Sequence, residues 1–169
     1  MSTVKEKQMK PSTKLLAVLI GVMFFFIASS LHADSEQDKA DIVKHLEFIG
    51  YSVSVDGNKV VAKSNGLIIV LQISSDKVRL STSWALTEYG KGHYDDIMNL
   101  LNGMTYKSTF SKFYLDKESP PEIIVTECYY QMPYEKERFG RLMTLFVDET
   151  QNLFVRQILA QPDMAKWFK

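Results

Sequence analysis

One long apolar stripe near the C-terminus constrains the fold more than any other feature of this sequence. Between residues 134 and 160, large apolar side chains recur at steps of three and four, the period of one helix face. The stripe consists of Phe139, Leu142, Met143, Phe146, Val147, Leu153, Phe154 and Ile158. Charged and polar residues fill the opposite face. The pattern therefore predicts a long amphipathic helix that lies on a floor made by the preceding strands.

Residues 51–86 alternate apolar and polar side chains, as in strands that bury one face. Three turn sequences divide this stretch into four strands: Asp56-Gly57-Asn58, Ser64-Asn65-Gly66 and Ser75-Asp76. The predicted inner face carries Leu67, Ile69, Leu71, Ile73, Val78, Leu80, Thr82, Trp84 and Leu86. We predict an antiparallel meander with one face in water.

The remaining elements are predicted from apolar periodicity and from glycine and proline positions. In chain order they are helix 38–49 ended by Gly50, a flexible connection 87–93, helix 94–101 ended by Gly103, strand 109–116, strand 122–131, and helix 134–160 opened by Pro133 and ended by Pro162. In the last strand, Cys128 shares the apolar face and Glu127 lies on the other. The fold class is α+β, an antiparallel sheet with helices packed on one face, in the order α-β-β-β-β-α-β-β-α.

The N-terminus has the pattern of a secretory signal. Residues 1–14 are polar and net basic, residues 15–28 form an uncharged apolar run, and charge returns at Asp34 after Ala33. We predict a signal peptide over residues 1–33, a single domain over residues 34–169, and a periplasmic or secreted protein. An uncleaved inner-membrane anchor is the alternative, because the run continued to Leu31 reaches the lower length limit of about 17 residues for spanning a bilayer.

The balance of basic and acidic residues limits the kinds of partner that the domain can bind. The whole chain has 20 basic and 20 acidic residues, and removal of the leader leaves 16 basic and 19 acidic residues, a formal charge of −3. A domain with this balance lacks the basic footprint that binding to a phosphate backbone needs. We therefore predict no nucleic-acid partner and a membrane contact only through an uncleaved leader.

Few residues in the domain point to catalysis or metal binding. His93 with Asp95 and Asp96 offers an incomplete ligand set at a helix start, so we predict no metal and no cofactor. Cys128 has no disulfide partner, and its place in the middle of a strand on the apolar face is typical of a small buried hydrophobe. His45, beside charged neighbours in the first helix, is predicted to lie on the surface. The chain is predicted not to be an enzyme.

The order of these elements, with three short motifs, resembles a known family. The motifs are Asn99-x-x-Asn102, Lys112-Phe113-Tyr114-Leu115-Asp116 and Phe48-Ile49-Gly50-Tyr51. Over about residues 41–158 the sequence resembles the YbjN family of bacterial sensory transduction regulators, which are similar in fold to type III secretion chaperones. The sequence departs from the family at residues 117–121 and 131–133, where both turns are rebuilt. The resemblance implies a binding or chaperone-like role with no catalytic residues.

Five residues are candidates for partner binding. Asn99 and Asn102 share a helix face, where their amides either cap backbone groups at the helix–strand junction or contact a partner. Lys112, Tyr114 and Asp116 share the outward face of their strand. We predict an exported, non-catalytic module that binds a protein or peptide. The alternatives are an exported enzyme that uses Cys128 or His93, and an envelope structural protein anchored in the membrane.

The second helix also suggests self-association. Chaperones of the resembled fold commonly act as dimers, and Ile97, Met98, Leu100 and Leu101 give this helix more apolar surface than a short, single-sided helix needs. We predict a weak homodimer with Leu101 in its interface. The competing interpretation is that all four side chains fill the core of the monomer.

Overall fold

The computed structural model describes residues 36–118, 122–159 and 161–168. Its elements in chain order are α1 (36–48), β1 (Ser52–Asp56), β2 (Lys59–Ser64), β3 (Leu67–Ile73), β4 (Lys77–Ala85), α2 (Glu88–Lys91), α3 (Tyr94–Lys107), β5 (Lys112–Asp116), β6 (Ile123–Gln131), α4 (Lys136–Glu149), a π-helical continuation (Thr150–Leu159) and α5 (Pro162–Ala165). The predicted signal peptide, residues 1–33, lies outside the described residues. Of the helices described, none is both long and apolar enough to cross a membrane.

The six strands form one antiparallel sheet in the order β1-β2-β3-β4-β6-β5. Its tight turns form where the sequence predicts them, because Gly57, Asn65 and Gly66 adopt the positive φ angles that hairpin turns require. β6 returns beside β4, and β5 then forms the second edge. The predicted α+β class and its antiparallel sheet are confirmed.

The core lies on one face of the sheet, under the helices. Ile42 and Leu46 of α1, with Phe139, Met143 and Phe146 of α4, pack against the inner side chains of β2, β3, β4 and β6. Phe154 and Ile158 extend the apolar stripe into a second buried cluster with α3 and β5. The predicted packing of the helices on one sheet face is therefore confirmed.

The long C-terminal helix differs from the single α-helix that the stripe predicts. It begins at Lys136, and beyond Glu149 it winds as a π-helix to Leu159. Thr150, Phe154 and Ile158 are fully buried along this segment. The long helix ends at Leu159, shortly before Pro162 as predicted, and Pro162 occupies the first turn of α5.

The predicted end of helix α3 at Gly103 is wrong. The helix continues to Lys107, because Ile97, Leu101 and Met104 are all buried on one face. This packing outweighs the low helix propensity of glycine. Leu101 is only 1% exposed and therefore belongs to the core of the monomer.

The connection over residues 87–93, predicted to be flexible, contains the short helix α2. The Thr87 hydroxyl donates to the carbonyl of Lys166 over 2.7 Å, and the Thr87 N–H donates to the carbonyl of Trp167 over 2.9 Å. A side chain at Gly90 would place its Cβ 2.4 Å from the Trp167 carbonyl oxygen. The C-terminal segment thus holds α2 in place through contacts between residues about 80 positions apart.

Candidate functional site

The predicted strand residues lie on the outer face of the sheet, opposite the helical layer. In the register of β5 and β6, Lys112 faces Glu127, Tyr114 faces Val125, and Asp116 faces Ile123. β4 adds Arg79, which pairs with Tyr129 of β6. Three neighbouring strands thus bring Arg79, Tyr114, Glu127 and Tyr129 together, and we call these four residues the outer-face cluster.

Glu127 is the centre of the outer-face cluster. Its Oε2 accepts hydrogen bonds from Arg79 Nε over 2.6 Å and from the Tyr114 hydroxyl over 3.0 Å, and its Oε1 accepts one from the Tyr129 hydroxyl over 3.1 Å. Arg79 Nη2 also donates to the Tyr114 hydroxyl over 2.8 Å. The Glu127 residue is only 8% exposed, so its charge is compensated by Arg79 rather than by bulk water.

The cluster keeps its tyrosines protonated. Burial, and then the hydrogen bond and charge of Glu127, raise the pKa of Tyr114 above its ordinary value. Burial and Glu127 raise the pKa of Tyr129 in the same way. Burial lowers the pKa of Arg79, but the hydrogen bond and charge of Glu127 outweigh it, and the net shift is upward. Both phenols therefore remain donors and Arg79 remains a cation at neutral pH.

The cluster remains accessible from solvent although its hydrogen bonds are partly buried. Tyr129 is 41% exposed, and so is the side chain of Arg79. The Lys77 ammonium lies 5.7 Å from the centre of the Tyr129 ring. Arginine and tyrosine, which here are held by hydrogen bonds and accessible on one side, are residue types enriched among the strongest contacts of protein interfaces.

Asn99 and Asn102 lie apart from this cluster in the fold, on α3. Both residues are exposed. Within the described part of the chain, neither of their side-chain amides makes a hydrogen bond. At the junction of α3 and β5, the backbone of Phe113 is instead bound by the hydroxyl of Thr105. This hydroxyl accepts a hydrogen bond from the Phe113 N–H and donates one to the Phe113 carbonyl. A role of the two asparagines in binding stays a prediction.

The two residues considered for catalysis, Cys128 and His93, both make packing contacts within the fold. Cys128 is 2% exposed, and burial, followed by the charges of Glu149 and Glu127, raises its thiol pKa to about 12. Since the thiolate is the nucleophile, this environment disfavours nucleophilic chemistry. His93 is 3.3 Å from Asp96 and stacks on Trp167. Residues 36–118, 122–159 and 161–168 contain no cluster of three or more His, Cys, Asp or Glu side chains suited to a metal.

The prediction that His45 is a surface residue is wrong. It is 8% exposed, and its Nδ1 lies 2.7 Å from the hydroxyl of Tyr134, just before α4. The ring fits there because residue 140 is glycine: a Cβ at Gly140 would lie 3.1 Å from His45 Cε1. Burial, and then the charge of Lys136, lower the pKa of His45. A glycine inside the long amphipathic helix was the available sequence signal for this close approach.

These features define an α+β protein with a six-stranded antiparallel sheet, helices on one face and a structured polar cluster on the other. No family model matches the sequence, and no curated protein is similar to it at a significant level. The fold is similar to that of a solved structure described as "YbjN, a putative transcription regulator from E. coli". That structure is 10% identical, with a TM-score of 0.62, over 77% of this chain and 94% of the other. The predicted resemblance to YbjN is thus confirmed in the fold.

Proposed function

We propose that this protein is a non-catalytic regulatory or binding module whose outer sheet face recognises a protein or peptide. The observation that carries the proposal is the outer-face cluster, in which the buried Glu127 orients Arg79 and Tyr129 while both remain accessible. The fold similarity to YbjN supports a regulatory role. The formal charge of −3 for residues 34–169 favours a protein partner over nucleic acid.

The charges around the cluster favour an acidic partner segment. Arg79 compensates Glu127, which leaves the exposed ammonium groups of Lys77 and Lys112 on the same face. A partner carboxylate can pair with either of these two cations, and the Lys77 ammonium lies beside the exposed ring of Tyr129. The side chains of the cluster are held by hydrogen bonds before binding, so little rotamer entropy is lost when a partner docks.

Replacement of Tyr129 tests the proposal. A photo-crosslinking amino acid at position 129 is expected to capture a defined partner in cells, whereas the same group at Tyr106, which is 92% exposed on α3, is not.

With the identified and purified partner, Tyr129→Ala and Arg79→Ala are each expected to raise Kd by about tenfold or more, as for central interface residues. Tyr106→Ala is the matched control and is expected to leave Kd unchanged. Equal capture at both positions, or an unchanged Kd in both cluster variants, would contradict the proposal.

We also propose that the module acts outside the cytoplasm. The basic start, the apolar run over residues 15–28 and Ala33 support this proposal. Mass mapping of the N-terminus of protein isolated from its native host is expected to find a mature chain that begins at or near Asp34, in the periplasmic or secreted fraction. Detection of an intact Met1 species in the membrane fraction would instead support the anchored alternative.

A further inference from the structure

A cavity of about 450 Å³ opens between α1 and the start of α4, in the helical layer and away from the outer-face cluster. Its wall is made by Asp41, Lys44, His45, Phe48, Tyr134 and Lys136. The volume lies within the range of about 300–1,000 Å³ typical of small-molecule sites. The site combines an exposed aromatic ring, two cations and a buried polar pair, which together specify the kind of ligand.

Phe48 supplies the apolar side of the pocket. It is the last residue of α1 and is 79% exposed, which leaves a large ring at the mouth of the cavity. The Lys136 ammonium lies 5.2 Å from the centre of this ring. A flat aromatic ligand that packs against Phe48 would remove apolar surface from water on both partners.

The charges of the pocket are unbalanced in favour of an anion. The Asp41 carboxylate accepts a hydrogen bond from Gln37 Nε2 over 3.0 Å and lies 3.8 Å from Lys44 Nζ. Lys136 has no carboxylate within 4.0 Å among the residues that the structure describes. An anionic group beside Lys136 would therefore gain a cation that no acidic side chain already neutralises.

The hydrogen-bonded pair of His45 and Tyr134 forms the polar side of the cavity. His45 and Tyr134 are joined by the 2.7 Å contact between Nδ1 and the hydroxyl, and His45 is buried against Phe139 and Gly140. The charged and titratable groups around the imidazole are Asp41, Lys44, Lys136 and Tyr134 in this cavity, and Tyr51 and Asp148 in a second cavity that His45 also lines. We propose that this pocket binds a small aromatic carboxylate, with its ring on Phe48 and its carboxylate on Lys136 beside His45.

Two matched probes test this site on the full chain. The carboxylate 2-naphthoate and the neutral alcohol 2-naphthalenemethanol share one ring system, and binding of each is measured by calorimetry. We expect 2-naphthoate to bind in the millimolar range or tighter, and the alcohol to bind about tenfold more weakly or worse. Phe48→Ala and Lys136→Met are each expected to raise the Kd of 2-naphthoate by about tenfold. The matched controls Tyr106→Ala and Lys107→Met, both on exposed positions of α3, are expected to leave it unchanged.

The imidazole of His45 gives an independent measurement. Because Lys136 helps to lower the His45 pKa, a carboxylate bound beside Lys136 should raise it. An NMR titration is therefore expected to show an upward shift of the His45 pKa with 2-naphthoate, none with the alcohol, and none for His93 with either. A Kd for 2-naphthoate above about 10 mM would overturn the proposal. A Kd equal to that of the wild type in both Phe48→Ala and Lys136→Met, or an unmoved His45 pKa at saturation, would overturn it as well.

Discussion

Cys128→Asp is expected to leave most of the protein unfolded at neutral pH. Position 128 is 2% exposed in β6, opposite Leu80, and a new carboxylate there would also be repelled by the charges of Glu149 and Glu127. A fully buried carboxyl has its pKa raised by about 3–5 units, to about 7 or above, so ionisation of the unfolded chain alone costs the folded state about 4 kcal/mol at pH 7. Because the folded-state pKa is raised, this loss of stability grows as pH rises from the unfolded value near 4 toward the folded-state value, and it shrinks as pH falls back toward 4.

Two milder substitutions at the same position provide the controls. Cys128→Ala removes one sulfur and is expected to cost about 1 kcal/mol, and Cys128→Ser, which buries a hydroxyl, about 1–3 kcal/mol. Urea denaturation at pH 7 and at pH 5 measures all three variants. In the wild type, a thiol reagent should label Cys128 slowly until denaturant is added. Rapid labelling of the folded protein, or a Cys128→Asp variant as stable as Cys128→Ser, would contradict the core placement.

The core was predictable because burial follows local periodicity. The inner residues of β3 and β4 were read from a period of two, and the stripe from Phe139 to Ile158 from a period between three and four. The phase of β6 likewise placed Cys128 inside and Glu127 outside. In each case the pattern repeats within one element, so the information lies in neighbouring residues of the sequence.

The outer-face cluster was only partly predictable, because its bonds join distant parts of the chain. Tyr114 was a candidate from strand phase, but Arg79 and Glu127 are 48 residues apart and meet only once β4 pairs with β6. Glu127 marked the outer face correctly, yet three side chains cover its carboxylate. Burial of His45 depends in the same way on the crossing of α1 and α4 at Gly140. Such contacts follow from tertiary packing, which local patterns do not encode.

Leu101→Asp is expected to unfold the monomer rather than only weaken a dimer. The side chain is 1% exposed and packs in the second buried cluster, with residues such as Ile97, Phe113 and Phe154. Loss of a buried leucine costs about 2–5 kcal/mol, and the added uncompensated carboxylate increases the cost further. Such a change approaches the total stability of a domain, which is typically about 5–15 kcal/mol.

A substitution at Met98, on the same helix, tests self-association without disturbing the core. It is 39% exposed, so Met98→Asp is expected to remain folded, with a change in unfolding free energy within about 0.5 kcal/mol. Circular dichroism and thermal unfolding compare the two variants, and sedimentation of the wild type and Met98→Asp at several concentrations measures association. If α3 forms the predicted homodimer, its interface must use exposed residues such as Met98, and Met98→Asp lowers association. A fully folded Leu101→Asp protein would show that Leu101 is not a core residue and would restore it as an interface candidate.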